Sequence, residues 1–168
     1  RVSTDFNADF PSVTAPSDGT PLAAVGSTLG TAGTTTRWRI ASISLSGSQT
    51  LTILGNVTLI LTAGSGATAL SVTGSASIII PSGSSLTVYA EGDVKIAGNG
   101  LGNDNTQPST CVFWGTSTSA GSQNIQIAGN GSLKTLVYAP NGSVTLNGNG
   151  DMMGSIVALD ITLTGNAA

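Results

Sequence analysis

Apolar and polar residues alternate along most of this chain in short phrases, and each phrase stops at a glycine. Ser143-Val-Thr-Leu-Asn-Gly148 and Asp160-Ile-Thr-Leu-Thr-Gly165 are two such phrases, each followed by Asn. In a strand this alternation puts the aliphatics on one face. The glycine then admits turn dihedrals closed to other residues. Aligned on Gly55, Gly74, Gly98, Gly129, Gly148 and Gly165, the phrases recur at spacings of 19, 24, 31, 19 and 17 residues. Four positions before each glycine stand Leu51, Leu70, Val94, Ile125, Val144 and Ile161, and two before it Ile53, Val72, Ile96, Ile127, Leu146 and Leu163. One after it stand Asn56, Ser75, Asn99, Asn130, Asn149 and Asn166.

A unit of 17 to 19 residues is too short for a βαβ crossover plus a second strand. It suits one coil of a parallel β-helix, with short strands separated by tight corners. The pattern therefore predicts an all-β chain: a single-stranded right-handed parallel β-helix of about six coils over residues 37–168. Right-handedness follows the usual rule for parallel crossovers. Coils about 4.8 Å apart would stack the aliphatics into a continuous core, and the Asn/Ser column into a corner ladder of stacked amides. Residues 1–36 show no sustained period and are expected to form an irregular N-terminal cap or linker. The longer spacings mark excursions, GNGLGNDNTQPST and TSTSAGSQ around the strand Cys111-Val-Phe-Trp-Gly115, and a smaller one around Pro81–Ser85. A second column precedes the first: Val88-Tyr89-Ala90, Phe113-Trp114-Gly115 and Val137-Tyr138-Ala139 align, so Tyr89, Trp114 and Tyr138 are expected to stack.

Composition agrees with many corners and few helices. Charged residues make up 8% of the chain and polarity comes from Gly, Ser, Thr and Asn. A net charge of −3 offers no footprint for nucleic acid or an anionic membrane. No spanning helix or signal peptide is visible, and a start at Arg1 suggests that something has been removed. The Ser/Thr/Asn/Gly surface suits an extracellular or cell-surface protein. Cys111 is the only cysteine, which excludes an intrachain disulfide and reads as a buried small hydrophobe.

Chemistry is sparse. Without histidine there is no His-based acid–base pair and no Cys/His nucleophile, and a zinc site has almost no ligands. Glycoside hydrolysis needs two carboxyls about 5–9.5 Å apart. Asp93 and Asp160 share a column but stand three coils, about 14 Å, apart, while Glu91 and Asp93 are separated by a corner glycine. The stretch Gly98 to Asp104 resembles a calcium loop, with Asp104, Asn99, Asn103 and Asn105, yet it lacks the carboxylates calcium wants and reads better as a plain loop. The Gly-x-Gly runs lack a following helix or lysine, so no phosphate cradle and no other cofactor is implied. The Asn-x-Ser/Thr triplets at Asn56, Asn130 and Asn141 are chance matches in such a composition. An ice-binding face would need a flat outward threonine array, but Thr52, Ser71, Lys95, Gln126, Thr145 and Thr162 are interrupted at Lys95 and Gln126. Tyr89, Trp114 and Tyr138 would serve as a glycan platform, or simply stack between coils.

The tail LVYAPNGSVTLNGNGDMMGSIVALDITLTGNA resembles the C-terminal β-helical domain of PilX-like, type IV pilus-associated bacterial surface proteins. Tyr138-Ala139-Pro140, Gly148-Asn149-Gly150, Gly154-Ser-Ile-Val-Ala158 and Gly165-Asn166 carry the resemblance. Members have an N-terminal hydrophobic anchor helix and often a His-Tyr-Asp tail segment, and neither occurs in these 168 residues. Bactofilin-like polymers, which also stack β-helices, are a looser likeness. The resemblance implies an extracellular structural or adhesive role and carries over no catalytic residue. The expectation is a non-enzymatic structural or adhesive solenoid of a surface or pilus that self-assembles end to end into head-to-tail filaments or associates with other surface subunits. Ice or glycan binding is the alternative, and a polysaccharide-active enzyme stands further back.

Overall fold

The computed structural model describes residues 10–97, 100–129, 133–148 and 152–165. Thirteen strands are formed among them: β1 (Thr20–Pro21), β2 (Thr28–Ile40), β3 (Ile43–Leu45), β4 (Thr50–Leu61), β5 (Thr68–Val72), β6 (Ser77–Ile80), β7 (Ser85–Ala90), β8 (Asp93–Ile96), β9 (Gly100–Asn103), β10 (Cys111–Gly115), β11 (Asn124–Gly129), β12 (Leu133–Gly148) and β13 (Met152–Gly165). One short 3-10 turn, Pro108–Thr110, precedes β10. All belong to one curled sheet whose path runs β1-β2-β4-β7-β10-β12-β11-β8-β5-β3, and every pairing is parallel. The fold is all-β, with a solenoid-like curl.

Register explains why the phrases look alike. Along β3, β5, β8, β11, β12 and β13 the rungs Ile43, Leu70, Val94, Ile125, Val144 and Ile161 lie over one another, as do Leu45, Val72, Ile96, Ile127, Leu146 and Leu163. Five of the six expected copies therefore stand in one column. The sixth does not: Leu51 and Ile53 belong to the first leg of β4, which pairs with β6 and with the start of β2. The first rung of the column comes instead from Ile43-Ser44-Leu45-Ser46-Gly47. Both faces of the sheet use the same alternating grammar ending in glycine, so the phrase around Gly55 marks a strand without marking which face it is on.

Three further boundaries move. Parallel pairing starts at Thr20 and Thr28, before residue 37, with Thr20 beside Trp38 and Thr28 beside Thr52. The expected excursion after β8 contains β9, which stacks Leu101 on Ile78. The stretch Pro81 to Ser84 is a tight turn closed by Ser84 N–H donating to the Pro81 carbonyl at 3.0 Å. Short glycine-rich segments hide strands because two inward side chains suffice for one rung.

The core is a single aliphatic cluster inside the curl, with Phe113 its largest fully buried side chain. Leu59, Val88, Phe113 and Val137 form its rungs along β4, β7, β10 and β12. A buried aliphatic contributes roughly 1.5–3 kcal/mol, so each rung is held chiefly by the ones above and below it. No helix among the described residues is long and apolar enough to cross a membrane.

Candidate functional site

The outward face of β7, β10 and β12 carries the three aromatic residues in register, Tyr89 beside Trp114 and Trp114 beside Tyr138. Ring centroids of Tyr89 and Trp114 are 6.3 Å apart at 15°, and those of Trp114 and Tyr138 are 5.4 Å apart at 56°. The first pair is stacked, so those rings turn their faces to each other and their edges outward. A sugar packs on ring faces, and this geometry leaves it fewer of them. The column extends through Ile60 and Arg39 to Pro21 at one end, and to Val157 at the other.

Residues 11–19 lie against this column. Tyr138 Oη donates to the Pro11 carbonyl at 2.9 Å, and Asn141 Nδ2 donates to Ser12 Oγ at 3.1 Å and to the Ser117 carbonyl at 2.9 Å. At the far end Arg37 pairs with Asp18, and the Arg37 guanidinium holds the Asp18 carboxyl below its ordinary value. Expected as part of an irregular cap or linker, this stretch straps the outer face of the sheet. The trace of it in the sequence is the small apolar residues Val13, Ala15 and Pro16, which are half-buried while Thr14, Ser17 and Asp18 are exposed.

The Asn/Ser ladder is reached only in part. Asn99, Asn130, Asn149 and Asn166 lie outside the described residues. Asn56 accepts a bond from Ser85 Oγ at 2.8 Å, whereas Ser75 N–H donates to the Gly47 carbonyl at 2.8 Å. Asn56 and Ser75 thus occupy different corners, because their phrases lie on different faces.

The calcium-like stretch spends its amides internally. Asn103 Nδ2 donates to Thr110 Oγ1 at 2.9 Å and to the Lys134 carbonyl at 3.0 Å, and its Oδ1 accepts from Asn105 Nδ2 at 2.9 Å. Asn105 Oδ1 accepts from Gly83 N–H at 3.0 Å, and Lys134 Nζ donates to the Asn105 carbonyl at 3.1 Å. The loop is knotted by side chains and is not a plain excursion. Among the described residues no three His, Cys, Asp or Glu side chains come together as a metal site.

Other candidates resolve into structure. Asp93 Oδ1 accepts from Asn124 N–H at 2.8 Å, and the rungs of Asn124 and Ser143 separate it from Asp160. Cys111 is buried and desolvation pushes its thiol up to about 12. Gln123, unanticipated from sequence, is fully buried at the corner after β7, and its Nε2 donates to the carbonyls of Ala90 and Gly92 at 2.7 and 2.9 Å. The outward polar column reads Ser44, Ser71, Lys95, Gln126, Thr145, Thr162; Thr52 is on the other face. A cavity of about 330 Å³ beside β3, lined by Val25, Ser27, Leu45 and Gln49 among others, has no titratable group.

Among the described residues one end of the sheet is open: β13 pairs with β12 alone, and Met153, Leu159, Ile161 and Leu163 are 49%, 50%, 48% and 59% exposed. Val144 and Leu146, the rungs beneath Ile161 and Leu163, are 0% and 5% exposed.

These features define a solenoid-like parallel β domain with a strapped outer face and one open end. Residues 28–168 match the model of a domain of unknown function, DUF7305, and the chain belongs to that family. No curated protein and no solved structure matches it.

Proposed function

We propose that the chain is a non-enzymatic structural module, a right-handed parallel β-helix of about six coils that associates with a second copy through β13. The reading places it at a bacterial cell surface, in or beside a pilus-like assembly, as the resemblance to PilX-like proteins implies. The observation that carries it is the open end: a strand edge unpaired among the described residues, with Ile161 and Leu163 continuing a buried column and Met153 and Leu159 exposed beside them. Such an edge is a template for another strand.

Among the described residues the opposite end has no comparable exposed apolar rung, since Ile43 and Leu45 are 3% and 4% exposed. There β1 is two residues long and contains Pro21, and Leu22 and Val25 pack on the core. A second copy therefore meets open end with open end, a two-fold contact that closes after two chains. Fourteen residues at about 3.3 Å each and about 10 Å across present roughly 450 Å² per copy. About 900 Å² in total lies at the low end for specific interfaces, which makes the pairing reversible and concentration-dependent. Sedimentation equilibrium tests it. The wild type should approach a dimer at high micromolar concentration, and Ile161→Asp with Leu163→Asp should remain monomeric with unchanged circular dichroism. A wild type that stays monomeric at millimolar concentration, or a dimer indifferent to those substitutions, would refute the reading.

A further inference from the structure

The strap over the aromatic column is a bound peptide in all but covalent connection. Residues 11–19 run from β12 to β2, crossing four inter-strand steps, about 19 Å. Eight residues reach at most about 27 Å when extended, so the segment is long enough to cross β10, β7 and β4 between its two anchors. It is anchored at both ends by side chains of the sheet: Tyr138 and Asn141 hold Pro11 and Ser12, and Arg37 holds Asp18. A Cβ on Gly19 would come within 3.4 Å of Arg39 Cβ and 3.5 Å of Ile60 Cδ1, so the backbone passes close over the column there. The half-buried side is Val13, Ala15 and Pro16, small and stiff groups of the kind that aromatic-lined grooves accept from extended peptides.

The cis occupant leaves the groove imperfectly filled. Arg39 Nε is buried without a hydrogen-bond partner, close to where the strap turns at Gly19 into β1. Within one chain, that turn dictates where the strap's acceptors fall. A strap supplied by another molecule enters from elsewhere and is free to bring a carbonyl or carboxylate oxygen to that donor.

We propose that this outer face is a binding groove for an extended, proline-containing peptide with an acidic side chain near its far end, and that in assemblies its ligand is residues 11–19 of a second copy. Strap and groove are different surfaces, so this contact can pass from copy to copy along a row as well as close reciprocally in a swapped pair. The two-fold contact at β13 cannot form a row. In dilute solution the tethered strap prevails, because a short linker gives it a millimolar effective concentration. Exchange takes over where subunits are packed at that density or above.

Disulfide trapping in the full chain tests both parts, and buried Cys111 leaves the background low. Ser12→Cys with Asn141→Cys in one chain should form an intrachain bridge at micromolar concentration. Its absence, with the fold intact by circular dichroism, overturns the groove. Separately labelled single variants, Ser12→Cys and Asn141→Cys, are then mixed. The interchain product should rise at least tenfold between 10 μM and 2 mM relative to a Ser12→Cys and Ser48→Cys control, and should fall when Tyr138→Phe is added. An interchain yield equal to the control at 2 mM overturns the exchange. Sedimentation of the same samples reports the β13 contact independently, so failure of one contact is not mistaken for failure of the other.

Discussion

The two ends of the sheet are built from the same alternating phrases and finish differently. At the β3 end the column opens with Ile43 and Leu45, 3% and 4% exposed, and Leu22 and Val25 pack against the core. At the β13 end the equivalent rungs, Ile161 and Leu163, stand about half exposed. The residue types are the same, so the difference is not one of composition. It teaches that in a stacked sheet an aliphatic is worth what the next rung makes it worth, since each coil contacts only its neighbours. The covered end spends a two-residue strand, a proline and two apolar side chains on closure.

The strongest way to break this comparison is to delete the same volume at two heights of one column. Ile127 has Ile96 below it and Leu146 above it, whereas Leu163 has only Leu146. Ile127→Ala should cost about 2–5 kcal/mol, the range for a buried aliphatic that leaves a cavity. Leu163→Ala should cost under about 1 kcal/mol in a dilute monomer, because its partner rung is missing. Urea denaturation of both variants measures the contrast. Equal losses would mean that the open end is packed by something other than β12.

Gly154 sharpens the comparison at the open end itself. A Cβ there, at φ 151°, would stand 1.8 Å from the Thr135 carbonyl oxygen, so β12 and β13 approach too closely for any side chain. Gly154→Ala should loosen the first leg of β13 at a cost of about 1–3 kcal/mol. Hydrogen exchange should speed up in residues 152–158 and leave β5 and β8 unchanged. Uniform acceleration through the chain would show that the end rung is not a separate unit.

Much of this was legible in the sequence, and the reasons differ by region. Parallel rungs at Leu70, Val94, Ile125, Val144 and Ile161 could be read because five phrases repeat on one face with glycines at fixed offsets. The register of Tyr89, Trp114 and Tyr138 followed from the same arithmetic. What escaped was information carried by contacts remote in sequence. Leu51 obeys the same grammar on another face. Gly100 to Asn103 makes a strand from a single large apolar residue, and buried Gln123 matters only because Ala90 and Gly92 present carbonyls to it. The strap was hidden for the same reason, since Pro11 meets Tyr138 across 127 residues of chain.

A smaller effect separates strap from sheet. Tyr138→Phe removes the hydroxyl that holds Pro11 and leaves the ring against Trp114. The expected loss is about 0.5–1.5 kcal/mol for one hydrogen bond, expressed as faster exchange in residues 11–14 with little change in global unfolding. A matching fall in global stability would instead make the strap part of the core.

The smallest effect is a pH dependence confined to the other anchor. Arg37 holds the Asp18 carboxyl below its ordinary 3.8, so the folded state binds that proton less readily than the unfolded chain does. Its contribution is therefore present above pH 3.8 and disappears as pH falls through the lowered value. Both partners are largely exposed, which screens the pair and keeps its contribution small. Acidification through that window should raise exchange in residues 15–19 ahead of residues 11–14, which Tyr138 and Asn141 hold by hydrogen bonds and not by an ion pair. Asp18→Asn should abolish the pH step and leave the neutral-pH fold unchanged. A step that persists in Asp18→Asn would assign it to another carboxylate and detach the strap's far end from Arg37.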